Sequence, residues 1–360
     1  MTASISDILP AACAALGVSP QIPALSFPET KSTVILLVDG MGYQNVENVR
    51  ELNSHSELIL HDSPIATSFP TTTPVALASL GTGLQSGAHG FVAATFELAE
   101  FRHILHPLKW VDSPPPLAVQ PDPTWFENAQ DLGVDVIRIG PAAHENSGLT
   151  NAVLRGGKYL AAETFEEVTT AILNAINIGQ PQMIYAYHPK LDKLGHVHGV
   201  DSAEWRRELS TVLDGIARLH QELSTNTTLI VTADHGMVDV ENRIWIEDTP
   251  SLMRDVRIIT GEPRLRHVFA QGGNEKALLR QWQSLAQYAN IYSRDEFIAT
   301  SLMGEVDDFV YERIGDVVAV AQGRNILASR TIDSRISSLI GHHGSDSAME
   351  RDIPLAVLAR

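Results

Sequence analysis

Four short segments combine carboxylates and imidazoles in a pattern that points to metal chemistry. VILLVDG ends an apolar run with Asp39, and TADHGM sets Asp234 beside His235. In DKLGHVHG, Asp192 and His196 are separated by four, a spacing that places both on one face of a helical turn or projects both from a loop. GHHGSD carries His342 and His343 in a glycine-flanked turn. Asp-Gly alone is an ordinary turn signal, but an Asp-His pair has no structural use at the end of an apolar strand. Mixed carboxylate and imidazole donors without thiolate suit zinc first, with manganese or iron as alternatives, and disfavour the all-oxygen cages of calcium and magnesium. Asp39, Asp192, His196, Asp234, His235 and His343 are more than one tetrahedral ion takes, so two divalent ions are expected. A pair of such ions can hold the attacking and leaving oxygens of a displacement at phosphorus.

A fifth segment, SFPTTTPVALASLGTG, offers three consecutive hydroxyls before Pro74. Proline suits the first turn of a helix, which makes Thr73 the expected N-cap. A hydroxyl there lies in positive potential, which favours an alkoxide and a bound phosphoryl group. On these residues alone the threonines read as a helix start.

Positioning these groups requires strands that end where the motifs begin. Thr33 to Val38, Val134 to Ile139, Met183 to Tyr187, Thr228 to Thr232 and Ile353 to Leu358 are short apolar or β-branched runs suited to strands covered on both faces. Helices are expected between them: from Ser202 as N-cap through Leu223, over Phe165 to Ile176, and over Pro123 to Leu132 with Asp122 as cap. The alternation predicts an α/β fold with a mainly parallel central sheet and helices on both faces, its ligands at the carboxyl edge of the strands. The pattern changes after residue 240. Strand candidates Val256 to Thr260, Val268 to Ala270, Phe309 to Glu312 and Val317 to Ala321 surround one amphipathic helix near Glu275 to Tyr288. Residues 241–340 are therefore expected to form a smaller α+β cap inserted into a core of residues 1–240 and 341–360.

The chain has 360 residues, 44% of them apolar and 19% charged, with a formal net charge of -17. That field repels phosphate backbones and anionic bilayers, so neither a nucleic-acid polymer nor a membrane is an expected partner, whereas metal ions can locally reverse it for a small anion. Cys13, the only cysteine, excludes an intramolecular disulfide, fits a reducing compartment and reads as a small buried apolar residue. The N-terminal stretch lacks a basic region before its apolar run and contains Pro10, so it does not read as a signal peptide; a cytoplasmic protein is the expectation.

Taken in order, VDG, FPTTTPVALASLGTG with a following HG, DKLGHVHG, TADHGM and HHGSD resemble the alkaline phosphatase superfamily and, within it, the type I phosphodiesterase/nucleotide pyrophosphatase family. The resemblance covers roughly residues 33–94, 183–237 and 341–346, and implies an alkaline phosphatase-like core. It implies one metal held by Asp192, His196 and His343, and a second held by Asp39, Asp234, His235 and a nucleophilic threonine. Matching both flanks, Phe69-Pro70-Thr71 and Thr82-Gly83-Leu84, puts that nucleophile at Thr73; matching on threonine-x-proline would select Thr72. The implied reaction is hydrolysis of phosphodiester or pyrophosphate bonds in nucleotide-like small molecules through a phosphoryl-threonine intermediate. A phosphonate or phosphomonoester hydrolase with the same cage is the alternative, and a noncatalytic metal- or partner-binding protein a third.

One departure stands out: in HGFVAATF, Ala94 occupies the place of the asparagine whose amide meets a phosphoryl oxygen in the family. Thr95, the backbone amide of Thr73 or a side chain of the insertion are candidate replacements. Arg264, Arg266 and His267 on the insertion are candidates to meet a substrate anion, with an exposed strand as the alternative. His89 is read as a loop support, His198 and His342 as solvent-facing, and His188, Lys190 and Lys193 as solvated surface positions.

Overall fold

The computed structural model describes residues 3–19, 24–111, 113–177 and 179–360. The N-terminal stretch, whose residues 1–2 and 20–23 lie outside the described residues, contributes a helix over Ile8–Ala15. Cys13 is buried in it, and burial pushes its thiol up to about 12. No helix among the described residues is long and apolar enough to cross a membrane.

The chain alternates strands and helices through β1 (Ser32–Val38), β2 (Asp135–Gly140), β3 (Lys158–Ala161), β4 (Gln182–His188) and β5 (Thr227–Thr232). The helices that matter for the site are α1 (Thr73–Thr82), α2 (Trp125–Asp131), α3 (Phe165–Ala175), α4 (Lys190–His198) and α5 (Ala203–Glu222). A second sheet follows, made of β6 (Val256–Glu262), β7 (Leu265–Ala270), β8 (Ala289–Ser293) and β9 (Val317–Ala321), in the order β6-β7-β9-β8 and with α6 (Glu275–Trp282) packed on it. The last strand, β10 (Leu355–Ala359), returns to the first sheet.

Among the described residues the first sheet is six-stranded, in the order β10-β5-β1-β4-β2-β3. β1, β4 and β5 are buried along their whole length, as their continuous apolar runs require. Pairing among the first five strands is parallel, while β10 runs antiparallel to β5. Alternating side chains face opposite ways: Phe126 of α2 packs on Tyr185 from one face, and Phe165 of α3 on His188 from the other.

Several expectations change in detail. The run Ile353 to Leu358 is broken at Pro354: Asp352–Ile353 pairs with Ile65–Ala66, and only Leu355–Ala359 joins the main sheet. The cap of α2 is Thr124, not Asp122; its side chain accepts from the Glu127 amide in a capping box. α5 starts as expected, with Ser202 accepting from the Trp205 amide. Phe309 to Glu312 is helical instead of extended: the Asp307 carbonyl accepts from the Val310 and Tyr311 amides at 2.9 and 3.1 Å, and the Phe309 ring lies beneath the Arg313 guanidinium instead of on a sheet. β3 escaped the pattern reading because its KYLA sequence sits exposed at the sheet edge.

Candidate active site

Register brings the motifs to one edge. Leu37 of β1 lies opposite both Tyr187 and Thr232, so Asp39, α4 and the TADHGM turn all follow strands that end level with one another. Gly40 makes the turn after Asp39 at φ 73°, and its α-carbon passes so close to Asp192 that an added Cβ would lie 3.0 Å from the Asp192 backbone. The Asp192 amide donates to the Asp39 carbonyl at 3.1 Å.

Each of the three carboxylates keeps one bare oxygen, and two are held by the other. Asp234 Oδ1 accepts from the Gly40 and His235 amides at 3.1 and 3.0 Å, while its Oδ2 is buried without a partner. Asp39 Oδ2 accepts from the Tyr187 hydroxyl, and its Oδ1 has none. Asp192 Oδ1 is likewise orphaned.

The imidazoles repeat this arrangement. Nδ1 of His196 lies 2.7 Å from the Gly341 carbonyl, that of His343 2.9 Å from the Thr71 carbonyl, and that of His235 3.2 Å from the Gly236 carbonyl. A carbonyl only accepts, so each Nδ1 carries the proton and each Nε2 presents a lone pair inward. Nε2 of His196 and of His343 are 3.2 Å apart and lie 3.4 and 3.8 Å from Asp192 Oδ1. His235 Nε2 is 3.5 Å from both Asp39 Oδ1 and Asp234 Oδ2. Two triads result, Asp192–His196–His343 and Asp39–Asp234–His235, each with donor atoms within 4.8 Å of one another. They adjoin: the His235 and His343 rings stack with centroids 3.7 Å apart. Orphaned carboxylate oxygens facing imidazole lone pairs fit divalent cations.

Electrostatics agree with that fit. Burial, then the neighbouring Asp234 and Asp192 carboxylates, push Asp39 well above the usual carboxylate range. Burial and the imidazoles of His235 and His196 hold His343 well below its ordinary value, so it stays neutral and able to ligate.

Thr73 adjoins the second triad, its Oγ 3.2 Å from His235 Nε2. It is the first residue of α1, with Thr72 as N-cap and Pro74 second, one position later in the helix than the proline suggested. The Thr72 hydroxyl turns away to the buried Glu262 carboxyl. Thr71 clasps the last motif, donating to the Ser345 carbonyl at 2.7 Å and accepting from the Gly344 amide at 3.0 Å.

The insertion's candidates do not reach this centre. Arg264 is fully buried, its Nε 2.9 Å from Glu350 and its Nη1 donating to the Gly323 and Asn325 carbonyls. Arg266 is committed to Asp333 and the Leu327 carbonyl. His267 lies 3.1 Å from the Val92 carbonyl, and the Thr95 hydroxyl donates to the Gly261 carbonyl at 2.8 Å. All four are thus committed to partners outside the two triads, as a buried guanidinium must be paired. His188 is buried against Glu208 at 2.8 Å, and Lys190 joins the same carboxylate at 2.6 Å; Lys193 and His198 are exposed. His342 is buried, not solvent-facing. His89 supports its loop as expected, its Nε2 2.9 Å from Ser79 Oγ and its Nδ1 accepting from the Phe91 amide.

Two residues near the centre were not singled out from the sequence. Tyr187 was visible only as one apolar letter of a strand, though alternation with Tyr185 hinted at a shared face. Glu262 gave no signal, since its partners, Thr72 and the Ala94 amide, are far away in the chain. Its carboxyl sits beside Ala94, where the sequence resemblance leads us to expect an asparagine.

Comparisons with known proteins agree with this geometry. A protein of Schizosaccharomyces pombe described as an uncharacterized pyrophosphatase/phosphodiesterase is 27% identical over 242 residues, which take in 61% of this chain and 48% of that protein. The chain thus spans about half the length of the curated relative it matches. Murine ectonucleotide pyrophosphatase/phosphodiesterase 5 superposes with a TM-score of 0.74 at 18% identity, covering 91% of this chain and 88% of the other. Phosphonoacetate hydrolase from Sinorhizobium meliloti, in complex with phosphonoformate, superposes with a TM-score of 0.71 at 15% identity, covering 94% and 92%. The profile of the type I phosphodiesterase/nucleotide pyrophosphatase family matches residues 33–346. With that match spanning most of the chain and including both triads, the protein belongs to the type I phosphodiesterase/nucleotide pyrophosphatase family.

Proposed function

We propose that the protein is a two-metal hydrolase of phosphodiester or pyrophosphate bonds in nucleotide-like small molecules, with Thr73 as nucleophile. The observation that carries the reading is the Thr73 hydroxyl at 3.2 Å from His235 Nε2, beside two adjoining triads whose three carboxylates each keep an unpartnered oxygen. Asp192, His196 and His343 would hold one divalent cation, and Asp39, Asp234 and His235 together with Thr73 the other, zinc being the first choice for this donor set. When bound, the cations supply positive charge that offsets the phosphoryl oxygens and favours the alkoxide form of a nearby hydroxyl.

The chain's own residues do the rest. Thr73, in the first turn of α1, attacks the phosphorus and forms an O–P bond as the leaving alkoxide or phosphate departs on the opposite side. The helix N-terminus places positive potential where the phosphoryl group sits. Water entering from the vacated side then cleaves the O–P bond and returns the hydroxyl. Tyr187 fixes Asp39, and the three backbone carbonyls fix the imidazoles, so the donor atoms need no rearrangement during turnover. In this reading residues 241–340 cap the core, with the β6–β7 hairpin closing over the Ala94 side.

Support also comes from a solved complex of an inactive threonine-to-alanine variant of the murine protein with AMP, 19% identical to this chain. The phosphonoacetate hydrolase likeness keeps a phosphonate hydrolase as the second reading. Assays of the zinc-loaded protein on a nitrophenyl phosphodiester, a phosphomonoester and a phosphonate separate the two. A dominant diester rate is expected, and a strong monoester or phosphonate preference overturns the first reading. Thr73→Ala is expected to lower turnover by about three orders of magnitude or more, as loss of a covalent nucleophile does. Undiminished metal-dependent hydrolysis would show that another group attacks.

A further inference from the structure

A cavity of about 230 Å³ opens beside Thr73. Helix α1 contributes Thr73 and Leu77 to it, and the sheet contributes Arg138, Tyr159, Tyr185 and Tyr187. Their alignment is fixed by register: Arg138 on β2 lies opposite Tyr159 on β3 and Tyr185 on β4, so the three side chains stand in a row on one face. Tyr187, two residues beyond Tyr185 on the same face, is bonded to Asp39. The row therefore adjoins the metal cage.

Arg138 is the anomaly in this row. Its Nη1 donates to the Leu154 carbonyl at 2.7 Å, and the guanidinium lies 5.6 Å over the Tyr159 ring. Its Nε is buried without a partner, and among the described residues it forms no ion pair. The Tyr185 hydroxyl beside it is also buried and unpartnered. Arg264, Arg266 and Arg313, all buried, are each paired with a carboxylate. Arginine does not discharge by losing its proton, so the half-buried Arg138 guanidinium without an anion leaves its charge and a buried donor unmet.

We infer that this cavity takes an anionic substituent of the phosphoryl substrate, a second phosphate or a carboxylate, held by Arg138 and the Tyr185 hydroxyl while the reacting phosphorus lies at Thr73. The inference rests on the phosphoryl-hydrolase reading and sharpens it to a substrate class. The guanidinium edge matches two oxygens of either anion, and Leu77, Ile139 and Leu149 along the walls keep water from screening the pair.

Three nitrophenyl phosphodiesters test it on the zinc-loaded protein: one with a methyl group as the second ester, one with glycolate, and one with ethylene glycol monophosphate. The parent is expected to favour at least one anionic ester over the methyl ester in kcat/KM. In Arg138→Gln that anionic-to-neutral ratio falls by about 10- to 100-fold, the size of a charge-assisted hydrogen bond, and Arg138→Lys restores part of it. The ester whose ratio falls identifies the anion. A parent that prefers the methyl ester overturns the inference without any variant, as does an unchanged ratio in folded Arg138→Gln. If the parent hydrolyses no phosphorus ester, the functional reading fails separately. Calorimetric binding of phosphoglycolate and ethylene glycol bisphosphate then decides: tenfold weaker binding to Arg138→Gln supports the anion subsite, and equal binding refutes it.

Discussion

Glu262 is an acid placed where water cannot serve it. Burial, outweighing the Thr72 hydroxyl and the Ala94 amide, pushes its carboxyl up from 4.5 to about 8. The folded protein therefore holds a proton there that the unfolded chain releases above pH 4.5. Stability from this group is complete below about pH 4.5 and is lost as pH rises through about 8, at up to about 1.4 kcal/mol per pH unit between the two values. Glu262→Gln, which keeps the shape and cannot ionise, is expected to flatten that decline in denaturant titrations across the window; parallel curves for parent and variant would remove the protonated carboxyl from the account. Legibility at this scale divides by chemistry. The ligand candidates were readable because Asp and His at strand ends have few other uses, whereas Glu262, Tyr187 and Arg138 look ordinary until folding supplies their neighbours. Arg264, Arg266 and Thr95 misled for the same reason: a cation or hydroxyl in the sequence does not reveal the Glu350, Asp333 or Gly261 that occupies it.

Helix α1 is the element on which the chemistry depends, and it is buried along all ten residues. That burial explains its run of small residues: a Cβ at Gly81 would lie 1.7 Å from the Val153 carbonyl oxygen, with backbone on both sides of the clash. Gly81→Ala is thus expected to displace α1, destabilising the fold by about 1–3 kcal/mol or more and lowering turnover through Thr73. Thermal unfolding and kcat measured on the same preparation check both, and an unperturbed variant would show that α1 has room to shift. The main strands could be read from their continuous apolar runs, since burial on both faces leaves little else. β3 and the turn at Phe309 could not, because an exposed edge carries no apolar pattern and local turn hydrogen bonds to the Asp307 carbonyl outweighed β propensity.

At the scale of the whole molecule, three buried carboxylates lie together in a chain already carrying a formal charge of -17. In the two-metal reading divalent cations offset that concentration of charge, so metal would contribute folding stability as well as chemistry. Chelation is expected to lower the thermal midpoint, and added zinc to restore it by about 4 kcal/mol of stability at a thousandfold excess over its dissociation constant. Equal midpoints with and without chelator would mean that the cage is not a metal site. The order of the motifs allowed the sheet edge to be anticipated, but not the clasp between Thr71 and the last loop, which joins residues some 270 positions apart. That clasp has a consequence for biosynthesis. His343 and the loop that orients it are made well after Asp39 and Thr73 have left the ribosome. Until that loop is added, a nascent chain can assemble most of its sheet but not the Asp192–His196–His343 triad, so in the two-metal reading that cation's site would form only after most of the sheet that carries it.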